Sequence, residues 1–554
     1  MSFRFLVLAT TALISAEATA APPDVKTLFP AGGQRGQTVE VTVGGKLNAR
    51  PASAWASRPG VTVEVPDEGE KVRVTIADDA PPGVCWLRFH NAEGASALRP
   101  FVIGTLPETN ESEPNDEYAE PQTLPEPSVV VNGRLEKSGD VDTFAVSLSK
   151  GQTLVAALDA NQTLGSPMDG VLQVVSTRGF VLAQNDDGPD LDPLLVFTPE
   201  ADGTYLVRLF AFPAETNSSI RLAGGGDYIY RLTVTTGPFV DHVAPLAVTR
   251  GAETAVEQIG WNIADDQRRL GFATDEPVHS VESPHPVRRA GVTDVRIVPH
   301  ATALEQDSAS AGQPQPIELP VAVTGHIGQT GESDVYAFTA TKGEKRSFRV
   351  EARSLGSPLD PVLELKDAAG KTLRRVDDAR RNAFDPELEF TFDADGAYRL
   401  HVSDAFGHGG FRYVYLLTAA APHPDYTLAV KADTFKLTPG KPLEIPVTVA
   451  RTNGFDREIE ISVEGLPEGV LAVSAKSPAK GDGSKAVKLE LKADGAGEGD
   501  ESVDVTPVSG PIRIVGRVAD QSDFERVAEA PIAGLQRTTA DLWLTVIAAD
   551  GEKR

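Results

Sequence analysis

Among 554 residues there is a single cysteine, Cys85, so no disulfide can form within the chain. Its domains must be held by packing and hydrogen bonds alone. Cys85 lies in the apolar run Val84-Cys85-Trp86 and reads as a small buried hydrophobe rather than a reactive thiol. Positive charge is scarce too: 52 Lys and Arg stand against 79 Asp and Glu, for a net charge of −27. That balance opposes the counterion release on which phosphate-backbone binding depends, and excludes nucleic acid as a partner. Past the first residues no segment approaches the ~18 consecutive apolar residues of a membrane helix, so membrane insertion is not expected. Catalytic signatures are missing as well, with neither a G-x-S-x-G elbow nor an H-E-x-x-H helix.

What is present begins at the N-terminus. Arg4, an apolar run from Phe5 to Ile14, and Ala18-Thr19-Ala20 make residues 1–20 a signal peptide, with the mature chain starting at Ala21 in the periplasm or outside the cell. No cysteine follows the cleavage site to carry a lipid. At 41% hydrophobic and 24% charged residues the remainder is globular, and its length suits about three to five domains of ~100–200 residues.

Period-two alternation recurs throughout, as in Val72, Val74, Ile76 and in Val487, Leu489, Leu491. Turn pairs such as Asp202-Gly203 and Asp395-Gly396 punctuate it, and no long stretch has helical period. The expected fold class is all-β, a series of β-sandwiches. Self-comparison divides the series. Val131-Asn132-Gly133 and Lys150-Gly151 return 192 residues later as Val323-Thr324-Gly325 and Lys342-Gly343. Leu164-Gly165-Ser166-Pro167 with Asp169, and Asp186-Asp187, return as Leu355-Gly356-Ser357-Pro358 with Asp360, and Asp377-Asp378. Two copies of one domain, 108–236 and 301–430, follow from this. A fainter repeat precedes each copy, giving modules at 21–107 and 237–300, and a fifth sandwich occupies 431–554.

At these residues the chain resembles the bacterial pre-peptidase C-terminal (PPC) family. Copy one carries Glu113-Pro114-Asn115-Asp116, Gly139-Asp140-Val141-Asp142-Thr143-Phe144, Asn185-Asp186-Asp187 and Asp202-Gly203-Thr204-Tyr205 before a closing Tyr-x-Leu strand. Copy two keeps Ser333-Asp334-Val335-Tyr336, Asp377-Asp378 and Asp395-Gly396 but lacks the leading Glu-Pro-Asn-Asp. The modules before each copy resemble TIG/IPT immunoglobulin-like domains, and the C-terminal segment resembles the immunoglobulin-like domains that accompany secreted enzymes. The resemblance implies sandwich folds, export and binding of polymers such as collagen. It does not transfer an activity, because no peptidase domain precedes the copies.

The one constellation with chemistry is acidic. Glu111, Glu113 and Asn115 alternate, so an extended arm presents them on one face, with Asp116 after the bend. The resemblance to the PPC-like domains of collagenases implies a calcium site on this arm, with Asp140 and Asp142 at the positions of two further ligands. Six oxygen-bearing side chains suit Ca²⁺, which takes 6–8 oxygen ligands. A charged linker is the alternative. In copy two only Glu305 and Asp307, with Glu332 and Asp334, stand at corresponding places, and that site is expected to be degenerate.

Weaker groupings read as ordinary structure. Asp186-Asp187-Gly188 with Asp190 and Asp192 lacks EF-hand spacing and reads as a hairpin turn. His279, Glu282 and His285 read as a solvated loop, and His408-Gly409-Gly410 as a hairpin-like turn. The sequons at Asn110, Asn161 and Asn217 carry little weight in a chain whose resemblance is bacterial. The leading expectation is a secreted, non-catalytic binding or scaffolding protein whose partner is an extracellular polymer or an envelope protein. The alternatives are an accessory component of a secreted peptidase system and a hydrolase whose site escapes motif reading.

Overall fold

The computed structural model describes residues 21–547, except 187, 189–190, 216–220, 253, 273–277, 283–285, 289–291, 307–309, 311, 380–383, 494–507 and 519–520. Residues 1–20, expected to be a signal peptide, Asp187, Asp190, Asn217, His285, Asp307 and the acidic stretch of the last module therefore lie outside the described residues, as do the side chains of His279 and Glu282. The described chain is all-β: strands dominate, with one helical turn at Asn161–Leu164 and three short 3-10 turns.

The first module packs Asp24–Phe29, Thr38–Lys46, Lys71–Ile76 and Val61–Glu64 against a second sheet holding Gly32–Gln34, Arg99–Gly104, Gly83–Asn91 and Ser53–Ala56. Alternation decides which side faces in: Val72, Val74 and Ile76 are buried while Lys71, Arg73 and Thr75 are exposed. Cys85 is a fully buried member of this core, and burial raises its thiol pKa.

Among the described residues each repeat is a sandwich of ten strands. In repeat one these are β1 (Glu108–Asn110), β2 (Gln122–Thr123), β3 (Ser128–Arg134), β4 (Asp142–Leu148), β5 (Leu154–Asp159), β6 (Met168–Ser176), β7 (Val181–Asn185), β8 (Leu194–Phe197), β9 (Gly203–Pro213) and β10 (Ile229–Thr235). One sheet runs β1-β3-β10-β5-β8 and the other β2-β4-β9-β6-β7. In repeat two, β11 (Ala301–Leu304), β12 (Gln315–Pro316), β13 (Val321–His326), β14 (Ser333–Ala340) and β15 (Lys345–Glu351) come first. β16 (Pro361–Asp367), β17 (Thr372–Val376), β18 (Glu387–Thr391), β19 (Gly396–Asp404) and β20 (Val414–Ala420) complete it. The sheets are β11-β13-β20-β15-β18 and β12-β14-β19-β16-β17, the same order strand for strand.

Equivalent residues also do equivalent work. Asp192 accepts hydrogen bonds from the backbone N–H groups of Ala160, Asn161 and Gln162, and Asp385 accepts from Ala352, Arg353 and Ser354. The hairpin expected around Asp192 is thus an anchor for the neighbouring turn. His408-Gly409-Gly410 differs from expectation as well, since β19 and β20 belong to different sheets and the loop between them crosses the sandwich.

The boundary expected at 430 also moves. Strand Asp425–Ala429 pairs with Leu443–Thr452 and with Ala528 and Glu529, and Tyr426 and Leu428 point into the C-terminal core. Its alternation marks it as a strand, but only the pairing shows which core it serves.

The modules follow one another along the chain, yet the last folds back on the first. Arg88, fully buried, donates to Asp433 Oδ2 at 2.8 Å and to the Asp541 carbonyl at 3.0 Å. Trp543 packs edge-on to Trp55 with ring centroids 5.9 Å apart and lies 5.0 Å from His90. A second buried charge centre ties the short module to repeat two. Asp241 meets Arg288 at 3.2 Å, Arg412 at 3.0 Å and His242 at 2.8 Å.

Candidate metal centre

The acidic arm leaves the edge of the first repeat after β1. β1 runs parallel to β3, and Glu111 N–H continues that ladder to the Asn132 carbonyl at 2.9 Å. Gln122 fastens the arm from the other side, accepting from Ser112 N–H at 2.8 Å and donating to the Asn110 carbonyl at 3.0 Å. Beyond Asn110 the arm is not a strand. It turns at Pro114, and the Glu113 carboxylate accepts from Asn115 N–H at 3.0 Å. The one-face alternation expected of an extended arm is therefore replaced by a turn, which folds Glu113 back over Asn115 and Asp116.

The opposing wall is the turn before β4. Gly139, at φ +92°, lets the chain reverse so that Asp140 is buried at its end and Asp142 opens the strand. Oxygens of Glu113, Asp116 and Asp140 come within 4.8 Å of one another. Lys137 Nζ lies 3.8 Å from both Asp116 and Asp140, with most of its side chain in solvent.

Glu111 and Asp142 form an adjoining pair around Tyr230. The Tyr230 hydroxyl donates to Asp142 Oδ2 at 2.5 Å and lies 2.9 Å from Glu111 Oε2, while Glu111 Oε1 accepts from Arg134 N–H at 2.7 Å. Sequence reasoning missed Tyr230, although the closing Tyr-x-Leu motif contains it.

Electrostatically the centre is short of positive charge. Burial raises the pKa of Glu111 to about 7, and raises Asp142 well above its ordinary value with Glu111 adding repulsion. Glu113 and Asp140 shift upward for the same first reason. Three buried oxygens, Asn115 Oδ1, Asp140 Oδ1 and Asp142 Oδ1, receive no hydrogen bond. Buried acceptors without donors are costly, and a cation is one way to satisfy them. The donor set is entirely oxygen, the set that hard divalent cations prefer. Glu113, Asp116 and Asp140 would contact such an ion, while Asp142 and Glu111 are held together by Tyr230 beside that group.

Among the described residues no helix is long and apolar enough to cross a membrane. The chain has distant likenesses to multidomain solved structures. One is the M60 catalytic domain with CBM51 domains of Clostridium perfringens ZmpB, at 9% identity and TM-score 0.13 over 74% of this chain and 56% of that one. Another is Sidekick-1 immunoglobulin domains 1–4, at 11% identity and TM-score 0.19 over 96% and 98%. Likenesses of this size carry no weight for function. A probable subtilase-type serine protease of Deinococcus radiodurans is 28% identical over 250 residues, or 44% of this chain. The chain spans only 28% of that relative's length. Within repeat one, residues 140–211 match the bacterial pre-peptidase C-terminal domain, the segment that runs from Asp140 and Asp142 of the acidic centre into β9.

Proposed function

We propose that this chain is an exported, non-catalytic binding or scaffolding protein whose first PPC-like repeat is stabilised by calcium. In this reading repeat two is a divergent PPC-like unit, and the modules at 21–107 and 237–300 are immunoglobulin-like spacers. The observation that carries it is the acidic centre of repeat one, where buried oxygens of Asn115, Asp140 and Asp142 lack donors beside the Glu113, Asp116 and Asp140 group. Calcium would neutralise this centre and tie the linker arm to the sandwich, so the module before the repeat would be held at a set angle.

The serial sandwiches, closed by Arg88 on Asp433 and by the Asp241 centre, suit a rigid body that presents loops to a polymer or an envelope protein. The likeness to a subtilase-type relative favours a second reading, an accessory part of a secreted peptidase system. A panel of peptidase, esterase and glycosidase substrates tests the non-catalytic claim. The expected result is no turnover above background, and robust turnover abolished by a single pocket substitution would overturn it.

A further inference from the structure

The two repeats treat the same sheet edge in opposite ways. β7 in repeat one and β17 in repeat two each end a five-stranded sheet, paired on one side with β6 or β16 and on the other with no strand among the described residues. Their registers correspond: Val181 and Ala183 lie opposite Val175 and Val174, as Thr372 and Arg374 lie opposite Lys366 and Leu365. In repeat two charge guards the open edge, with Lys371, Arg374 and Arg375 all exposed. The matching residues of repeat one are Phe180, Ala183 and Gln184, and none is charged.

What repeat one shows to solvent at this edge is apolar. Phe180 is 63% exposed, Val181 51% and Leu182 46%, three in a row. Tyr118 extends the patch. Its ring covers Gly179, where a Cβ would come within 3.1 Å of it, and its hydroxyl accepts from Arg208 Nη1 at 2.8 Å. Monomeric soluble proteins rarely leave such groups side by side in water.

Charge selects the occupant. Arg178 and Asp186 stand four residues to either side of Leu182, both exposed, and among the described residues neither has an ion-pair partner within the chain. Arg178 lies instead over the Phe180 ring, 5.6 Å from its centroid. A segment that is positive at one end, apolar in the middle and negative at the other is complementary to itself turned end for end. Across a two-fold axis at Leu182 the apolar side chains of two copies meet, and Arg178 of each copy faces Asp186 of the other.

We infer that β7 of repeat one, with Tyr118 beside it, is a self-association surface whose partner is the same edge of a second copy of this chain. The register shift at Leu182 is a bulge that disturbs the backbone ladder, so side chains rather than a continued sheet carry the contact. Repulsion between two chains of net charge −27 is screened beyond about 8 Å at physiological ionic strength, which leaves the facing charges at the seam to decide. The patch offers far fewer side chains than the about 20–30 residues a side of a standard interface, so the dimer is weak, with a Kd of about 10–100 μM.

Sedimentation equilibrium of the full chain in chelator at about 0.15 M salt tests this. The parent should pass from monomer to dimer across that concentration range. Phe180→Lys, which installs the residue type of Lys371, should weaken dimerisation by about tenfold or more, and thermal unfolding should show the variant folded because Phe180 is exposed. Arg178→Asp or Asp186→Arg alone should weaken it by about three- to tenfold, and the two together, which exchange the charges, should return it to within about twofold of the parent. A parent that is monomeric at about 500 μM would overturn the proposal and leave the patch to a partner of another kind. A dimer that Phe180→Lys leaves unchanged, or a double exchange no better than either single variant, would overturn it too.

Discussion

Tyr230 and Tyr415 hold the same position in the two repeats, each crossing over the glycine paired with it on the neighbouring strand and donating its hydroxyl to a buried aspartate. The register places Gly133 opposite Tyr230 and Gly325 opposite Tyr415. A Cβ on Gly133 would come within 2.1 Å of the Tyr230 ring, and one on Gly325 within 2.2 Å of the Tyr415 ring. The glycine is what lets the hydroxyl reach Asp142 or Asp334.

Gly133→Ala should therefore destabilise repeat one by about 1–3 kcal/mol through overpacking. Tyr230→Phe leaves Asp142 Oδ2 without its donor and should cost a similar amount, about 1–3 kcal/mol. Calorimetric unfolding of the full chain with chelator checks both. A change within about 0.5 kcal/mol in either variant would contradict the assigned contacts.

The closure of the last module on the first depends on a buried ion pair. Asp433→Ala strands the Arg88 guanidinium, which is fully buried, and should destabilise by about 3–5 kcal/mol. Asp433→Ala with Arg88→Met, which removes both charges, should recover much of that loss. Thermal unfolding of the three proteins gives the comparison, and an Asp433→Ala variant as stable as the parent would mean the terminal modules do not pack as described.

The buried Asp241 centre makes a contribution to stability that depends on pH. Burial alone would raise its pKa, but Arg288, His242 and Arg412 outweigh it and hold the carboxyl below its ordinary value. Its contribution is then present above the unfolded carboxyl pKa of about 3.9 and is lost as pH falls through the lower folded value. Asp241→Asn should cost about 3 kcal/mol at neutral pH, and the gap from the parent should close only in strong acid. Urea unfolding of both proteins across pH measures the gap. A difference that grows as pH falls would reverse the assignment.

The sequence makes some of this architecture readable and hides the rest. A 192-residue offset between Gly133 and Gly325 announces two copies, and strand order repeats because the turns and alternation that set it repeat too. The acidic arm is visible because its residues are adjacent along the chain. Tyr230 is not, since its role depends on pairing with Gly133, 97 residues upstream, and on the register that brings Asp142 beneath it. Arg88 and Asp433 are 345 residues apart, and local periodicity carries no information about which modules touch. The bend at Pro114 shows the same limit: alternation predicts one face for Glu111, Glu113 and Asn115, whereas the turn sends Glu113 toward Asp116 and Glu111 toward Tyr230.

Calorimetric titration of calcium into the full chain, parent against Glu113→Ala/Asp116→Ala, tests the central claim most directly. The account predicts that the parent binds calcium at repeat one and gains about 2.7 kcal/mol of stability at a hundredfold excess over Kd, reversed by chelator. The double variant should lose both the binding heat and the stabilisation. A parent that gives no binding heat, or a double variant that binds as well as the parent, would contradict the calcium centre and leave the arm a charged linker.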